Sequence, residues 1–528
     1  MAQNGAALSL RAVNEQDRSM TCDPETTFFK KRHPRYTHFA MAQLVQALGA
    51  GDSGSAPLLS TSHPNSPAHT IATTVHRTAD LVGAMHMRTV LPALNTNSIL
   101  NADAANVTAT TSVGGVISSD AYAGGPPEST TFCDLSQGGY CYVDEVGHYL
   151  LSSMDLYLCG HRIDTLTSEQ QYFNWHAERP DEMLMPQSLG IAPTQEERLK
   201  RAAAEQVIYS PIGFWFGKHP SQYFPLISMS SGEMSLRMTG RTAHDIYGGV
   251  DNGFAFDQYN AVRDGAIIAA LAAARQDLVY DGIFLDAGEK AMFARVAQEY
   301  LITEHQQTEE KDVGAGAASL SIQRVNMQHP TRDLVVALRP SSRTRPNELL
   351  VAISPDLVYP VRSSFTPGEY HTPNQWNNFS GGTNPETRLP SLPLDSLKMK
   401  INGFDRFIDL DSGVGPFFHE THPSYRYPGR TFETFGQYYS FGLVGTGPSA
   451  SGTMNMSALD QIDFALKRIP DPLSTMTAGG LLWDVALTGA VPPLYPPPEF
   501  QPVDVFVFSR PVNVLKIAGG IAGKAYAG

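Results

Sequence analysis

The stretch "SLKMKINGFDRFIDL", residues 396–410, decides the fold. Apolar and polar residues alternate in the run before Asn402-Gly403, and a short apolar-polar run comes after it. Alternation with a period of two belongs to a strand with one buried face; a helix would space its apolar residues three and four apart. Asn-Gly readily supplies the two consecutive positive-φ residues that a type I′ turn requires. The stretch therefore predicts a tight antiparallel hairpin.

The same pattern recurs on both sides. "LVGAMHMRTVLPAL" (81–94) is an apolar, alternating run, and in "YLLSSMDLYLCGHRIDTL" (149–166) Met154, Leu156 and Leu158 share one face before Cys159-Gly160-His161 turns the chain back. "RDLVVAL" (332–338), "YYSFGLV" (438–444) and "VDVFVFSRPVNVLKI" (503–517) read as further strands. Helices are few. "PTQEERLKRAAAEQ" (193–206) opens with a Thr194…Glu197 capping box, "RDGAIIAALAAARQDL" (263–278) is Ala-rich, and "DAGEKAMFARVAQEYL" (286–301) reads as a third. Turn signals are plentiful, with 45 Gly and 37 Pro. Long irregular stretches lie at 51–75, 101–130 and 365–395. Many short strands, few helices and long loops indicate jelly-roll sandwiches or barrels. An eight-stranded sandwich takes roughly 150–200 residues, so 528 residues imply two.

Only 17% of residues are charged, below the usual quarter or so. This suggests extensive surface buried against other chains, with a large monomer of big core as the competing reading. Net charge is −14 and the only basic cluster is Lys30, Lys31, Arg32 and Arg35, so direct nucleic-acid binding is not expected. The four Cys show neither a CxxC pair nor a zinc spacing and read as reduced thiols of a cytosolic setting. The start lacks the charged and apolar regions of a signal peptide, and no uncharged apolar run reaches the ~20 residues of a membrane span. Of the three sequons, at Asn106, Asn378 and Asn455, little is made without a secretory signal.

No catalytic, cofactor or metal site is expected. "FFHETHPSY" (417–425) has HExH spacing rather than HExxH, with Pro423 next in a strand-and-turn context, so His419 and His422 read as a packed loop. "AGGIAGKAYAG" (518–528) has the wrong glycine spacing for a phosphate loop and Ala525 where a hydroxyl belongs; a close-packed C-terminal strand is the better reading. No GxSxG elbow occurs. "PSASGTMNMSALDQIDFAL" (448–466) mixes hydroxyls, an amide and carboxylates. It reads as a catalytic loop or as a polar corner between strands, and Asp460 and Asp463, three apart in a strand, would not converge.

Laid end to end, these runs resemble the major capsid proteins of the nucleocytoplasmic large DNA viruses, of the phycodnavirus, iridovirus and mimivirus kind. "TTFFKKRHPRYTHFAM" (26–41) resembles the family's opening strand, and "SPIGFWFGKHPSQYFPLISM" (210–229) the segment that ends its first jelly roll. "EKAMFARVAQEYLITEHQQ" (289–307) is similar to the helix and strand opening the second, and "VNMQHPTRDLVVAL" (325–338) to the strand after them. Asn402, Gly403, Asp405, Arg406 and Phe407 match the family's N-G-x-D-R-F. Tyr439-Ser440-Phe441, then Ser451-Gly452-Thr453, Asn455, Ser457 and Leu459-Asp460 match Y-S-F-A-L and P-S-G-T-x-N-x-S-R-I-D, with Ala458 where the family has Arg. Asn513, Gly520, Gly523 and Tyr526 match the C-terminal N-V-L-R-I-x-x-G-x-x-G-x-A-Y.

The resemblance implies an all-β chain of two consecutive eight-stranded jelly rolls, a double jelly roll with a few short helices and long loops. The chain would divide into an inward-facing arm at 1–25, a first jelly roll at 26–243 and a second at 244–528. It implies a homotrimer whose six jelly rolls make a pseudo-hexagonal capsomer, assembled in the infected cell's cytoplasm and found in the virion. Implied partners are neighbouring capsomers, minor capsid and penton proteins, and an internal viral membrane. It implies no catalysis. The named matches are then structural, their polar side chains satisfying backbone at corners. The rival reading is a minor or penton-type jelly-roll protein, or a glycan-binding sandwich.

Overall fold

The computed structural model describes residues 35–48, 70–94, 139–143, 145–178, 186–191, 200–242, 246–250, 261–340, 394–406, 417–427, 436–468 and 502–526, with isolated positions before residue 30. The chain divides into Met1–Phe39, of which only scattered residues are described, and Ala40–Gly528, which holds both sandwiches. Most of the arm at 1–25, the Thr194…Glu197 box, the loops at 101–130 and 365–393 and most of 51–75 lie outside the described residues.

The first half contributes β1 (Phe39–Ala47), β2 (Thr70–Thr74), β3 (Leu81–Leu91), β4 (Gly139–Tyr142), β5 (Leu151–Leu158), β6 (His161–Thr167), β7 (Gln206–Ile212), β8 (Phe224–Pro225), β9 (Met234–Gly240), β10 (Tyr247–Val250) and β11 (Gln276–Leu285). One sheet runs β1-β11-β3-β7 with β8 beside β3; the other runs β2-β9-β5-β6, and β4 pairs with β10. The sheets bury Met85, Met87, Leu91, Met154, Leu156 and Leu158. At the β5–β6 hairpin, Cys159 and Gly160 take φ values of 52° and 81°, and Leu158 pairs with His161.

The second half contributes β12 (Gln298–Thr303), β13 (Gln306–Val313), β14 (Ser319–Ile322), β15 (Pro330–Pro340), β16 (Leu394–Ile401), β17 (Phe404–Asp405), β18 (Gln437–Ser440), β19 (Met454–Asn455), β20 (Ile462–Arg468), β21 (Val503–Ala518) and β22 (Ile521–Lys524). A seven-stranded sheet runs β12-β21-β15-β18 with β13 and β22 also on β21 and β19 on β15; it faces the four-stranded β14-β20-β16-β17. Eleven strands are described in each half rather than eight; three of them, β8, β17 and β19, are two-residue pairings.

The longer helices among the described residues are α1 (Ser168–Glu178), α2 (Ala261–Ala272) and α3 (Ala287–Arg295). Several sequence expectations need correction. Strand β10 pairs with β4, and β11 pairs with β3 from Gln276↔Thr89 to Ile283↔Leu81. First-half pairing therefore continues past the expected division at 243/244 to Ile283, and β8 does not end the first jelly roll. The helix read through 286–301 stops at Arg295, because the β-prone Tyr300, Leu301, Ile302 and Thr303 pair with β21 instead. The strand read at 438–444 ends at Ser440, whose hydroxyl accepts from Gly442 N (3.2 Å) and so turns the chain. "FFHETHPSY" is helical, a π turn at Phe417–Thr421 and an α turn at His422–Arg426, with Pro423 in the first turn where its missing N–H costs nothing.

Candidate assembly site at the junction of the two sandwiches

Strands β15 and β21 carry little of the alternation that marks a half-exposed strand. Both faces of β15, and of β21 as far as Pro511, are buried. Leu334, Val336 and Leu338 of β15, with Val503, Val505 and Val507 of β21, enter the core of the second sandwich. The opposite parity, Val335, Ala337, Phe506 and Phe508, joins the core of the first. What covers that second face is α1. Phe173 lies with its ring centroid 5.5 Å from Phe508 and 6.2 Å from Tyr438, whose hydroxyl donates to Phe173 O (3.3 Å). One helix thus turns a sandwich sheet into the middle layer of a larger body.

The same face carries buried ions. Arg510 forks onto Asp333, with Nε donating to Oδ1 at 2.7 Å and Nη2 to Oδ2, and its Nη1 reaches Glu178 at the end of α1. Tyr427 donates its hydroxyl to Asp333 Oδ2 (3.0 Å), and Lys218 pairs with Glu178 (2.8 Å). A second group sits at the start of α1. Glu169 accepts from Arg241 (2.9 Å) and Ser168 (2.7 Å) and pairs with Arg339 (3.4 Å). A third tie joins β6 to the start of the second sandwich: Asp164 accepts from His305 N (2.9 Å) and contacts its Nδ1 (2.7 Å). Buried pairs gain little net stability over apolar packing, but breaking one leaves a costly orphan charge. They therefore fix how the two sandwiches are set against each other.

The motif residues fall into three places. Asn402 and Gly403 (φ 49° and 84°) make the hairpin turn of β16–β17, closed by Ile401↔Phe404. Asp405 pairs with Lys398 (3.3 Å), and Arg406 N donates to Met399 O (2.7 Å). The second place is the corner from β19, in the seven-stranded sheet, to β20, in the four-stranded one. Asn455 Oδ1 accepts from Ser457 N (3.1 Å), capping the 3-10 turn Met456–Ala458, and Ser457 Oγ accepts from His329 N (2.7 Å). Ser451 Oγ accepts from Val444 N (2.8 Å) and donates to Val444 O (3.0 Å). A Cβ on Gly452 would stand 2.9 Å from Gly442 Cα, so two backbones meet there. Thr453, Ala458 and Asp460 are exposed, and Asp460 precedes the strand rather than lying in it.

The third place is the C-terminal hairpin. Asn513 Nδ2 donates to Glu304 Oε1 (2.9 Å) and to Tyr526 O (2.8 Å), pinning the chain end. Gly520 turns with φ 83° and its carbonyl accepts from Ser231 N (3.1 Å) of the first sandwich; a Cβ there would collide with Ser230 Oγ at 2.1 Å. Gly523 pairs with Lys516 and has open space around it. Replacing Asn455 by alanine removes a cap worth about 1 kcal/mol. A loss of unfolding free energy of that size is the expected result in urea denaturation; an unchanged unfolding curve contradicts it.

Sequence reasoning passed over Glu169, Glu178, Asp333, Tyr427 and Arg510. A signal was present: Asp504 and Arg510 break an apolar strand on the same parity as Phe506 and Phe508. It also undervalued His422. That ring stacks on Tyr439 (4.9 Å, 2° between planes), and its Nε2 accepts from Ser440 N (3.1 Å). That nitrogen is thus an acceptor rather than an open ligand.

Burial, with Arg426 nearby, pushes the His422 pKa down to about 4 from 6.5. The unfolded chain therefore binds the extra proton first, and this stability is lost as pH falls from 6.5 toward 4. Burial pushes Glu169 and Glu178 up, but Arg241 and Arg339 for the first, and Lys218 and Arg510 for the second, pull each down to about 2. Their contribution is full above pH 4.5 and is lost as pH falls toward 2. Urea midpoints should therefore decline in two stages on acidification, and His422→Phe should flatten only the upper stage. An unaltered upper slope in that variant contradicts the assignment.

Two family models match the chain, "Major capsid protein N-terminus" over residues 27–286 and "Large eukaryotic DNA virus major capsid protein" over residues 289–523. The chain belongs to this capsid protein family. The change from one model to the other falls just after β11, where the sheet pairing also changes. Among curated relatives, the major capsid protein of Chrysochromulina ericina virus is 23% identical and that of Paramecium bursaria Chlorella virus 1 is 24% identical, each match covering 99% of both chains. A capsid chain in a quasi-atomic model of the PBCV-1 virus capsid superposes with a TM-score of 0.64 at 22% identity, covering 95% of this chain and all of the other. The Faustovirus major capsid protein gives 0.54 at 11% identity, covering 97% and 96%. The double jelly roll is thus the fold of this family member, and its role is structural, in the virion capsid.

Proposed function

We propose that three copies of this chain close into a capsomer whose six jelly rolls give a pseudo-hexagonal outline, and that such capsomers tile the icosahedral capsid of a large eukaryotic double-stranded DNA virus. The observation that carries this reading is the doubly buried β15–β21 layer under α1. A protomer tiling a facet transmits load between its two sandwiches, so they must behave as one piece. Fusing them through an aromatic layer and buried ion pairs does that, where a linker would let them rotate.

Minor capsid and penton proteins, and an internal membrane, are the further partners of this reading. Assembly takes place in the host cytoplasm, which suits the free thiol of Cys159. The chain works by packing and catalyses no reaction. Quantitative protein composition of purified virions tests the proposal. The expected result is that this chain is the most abundant virion protein. An abundance matching only the vertices would make it a penton-type protein instead.

A further inference from the structure

We infer that a second copy of this chain docks on an apolar strip running along the seam between the two sandwiches, an assignment that rests on the capsomer reading. Three elements form the strip. The first is α3, which buries none of its residues. A helix of nine residues is marginal in water without a packed face. It is tethered by Lys290 to Asp80 (2.7 Å) and by Ser228 Oγ donating to Phe293 O (2.7 Å), yet Met292 is 52% exposed and Val296 57%.

The second element is the outward face of β12-β21-β22. Leu301 (44% exposed) stands opposite Val514, and Ile521 (54%) opposite Ala518. Between them Glu299 and Lys516 neutralise each other at 2.9 Å.

The third element is the loop 441–448, with Leu443 70% exposed and Val444 41%. This loop is clamped by its carbonyls. Arg426 donates to Leu443 O (2.8 Å), Arg510 to Gly445 O (2.8 Å), Arg332 to Gly447 O (2.9 Å) and Gln222 to Pro448 O (3.2 Å). The same Gln222 amide donates to Leu301 O (3.1 Å), which joins the loop to the sheet face. Exposed leucine and valine on a backbone already held in place dock without a further cost of ordering that backbone.

Charge argues for another copy as the occupant. The chain carries −14, so its copies repel wherever acidic surface meets acidic surface. On the strip two ion pairs cancel: Lys290 with Asp80 and Glu299 with Lys516. The loop 441–450 has no charged residue at all. In a closed trimer the contact is heterologous, so the strip meets a different surface of the next copy.

The test introduces charge at exposed positions, Leu443→Asp and Val296→Asp, with Val207→Asp (39% exposed, away from the strip) as control. Association is followed by light scattering across a dilution series, alongside hydrogen exchange of the wild-type chain. Both strip variants should raise the concentration for half-assembly at least ten-fold with unfolding midpoints unchanged, while the control assembles normally. Amides of 287–296 and 441–448 should gain protection on wild-type assembly, a readout that stands even where a variant misfolds. Strip variants that assemble like wild type, a control that fails equally, or unchanged protection overturn the strip and leave the capsomer intact. A wild-type chain that stays monomeric defeats the capsomer reading itself.

Discussion

Arg510→Met should lower the free energy of unfolding by about 3–5 kcal/mol, the cost of removing one partner from a buried ion pair. The methionine fills much of the volume but leaves Asp333 without the guanidinium that forks onto both of its oxygens. Tyr427 still donates to that carboxylate, and Lys218 still pairs with Glu178, so some compensation remains. The loss should shrink when Asp333→Asn is added, because the orphan charge is then removed. Urea denaturation of the two single variants and the double variant checks this. A loss under about 1 kcal/mol for Arg510→Met would mean that water reaches the cluster and that the junction is less dry than its burial implies.

Phe173→Ala should cost a similar amount, about 3–5 kcal/mol, through a cavity rather than a charge. The ring fills the space between α1 and the middle sheet so closely that a Cβ on Gly436 would lie 2.7 Å from it. The second sandwich keeps its own inter-sheet core, since those residues lie on the other face of β15 and β21. The damage therefore falls on the coupling between sandwiches. Wild type should unfold in one calorimetric transition, and the variant should separate into two, one for each sandwich. Two transitions already present in the wild type, or a single sharp one in the variant, would contradict the fused-body description.

The hairpin at Asn402-Gly403 was legible because its determinants are local: a two-residue turn chemistry and a period-two pattern. The turn at Cys159-Gly160 was legible for the same reason. The extent of the first sandwich was not. Strand β11 lies nearly 200 residues after its partner β3, and nothing near Gln276 says which distant strand it will join. The helix before it, α2, makes the region look like the opening of something new. The apolar residues after Ser440 misled in the opposite way: Phe441 and Val444 are strand formers, but the Ser440 hydroxyl claims the backbone of Gly442 and the Ser451 hydroxyl that of Val444.

The junction was half legible. The run "VDVFVFSRPV" carries bulk on both parities, a pattern of strands buried on both faces, and its ions at Asp504 and Arg510 fall on the parity that meets α1. What completes the cluster comes from segments far apart in the chain, Glu178, Lys218, Asp333 and Tyr427, and no local pattern joins them. The motif residues of the corner were recognisable as polar, but whether Asn455 caps a turn or faces a substrate depends on the crossing from β19 to β20, which is a property of the whole sandwich.

Native mass spectrometry of the purified chain reads its assembly state. The expected species has three times the 57.4 kDa of one chain and persists on dilution to micromolar protein. A monodisperse 57.4 kDa monomer at the highest soluble concentration would contradict the capsomer account.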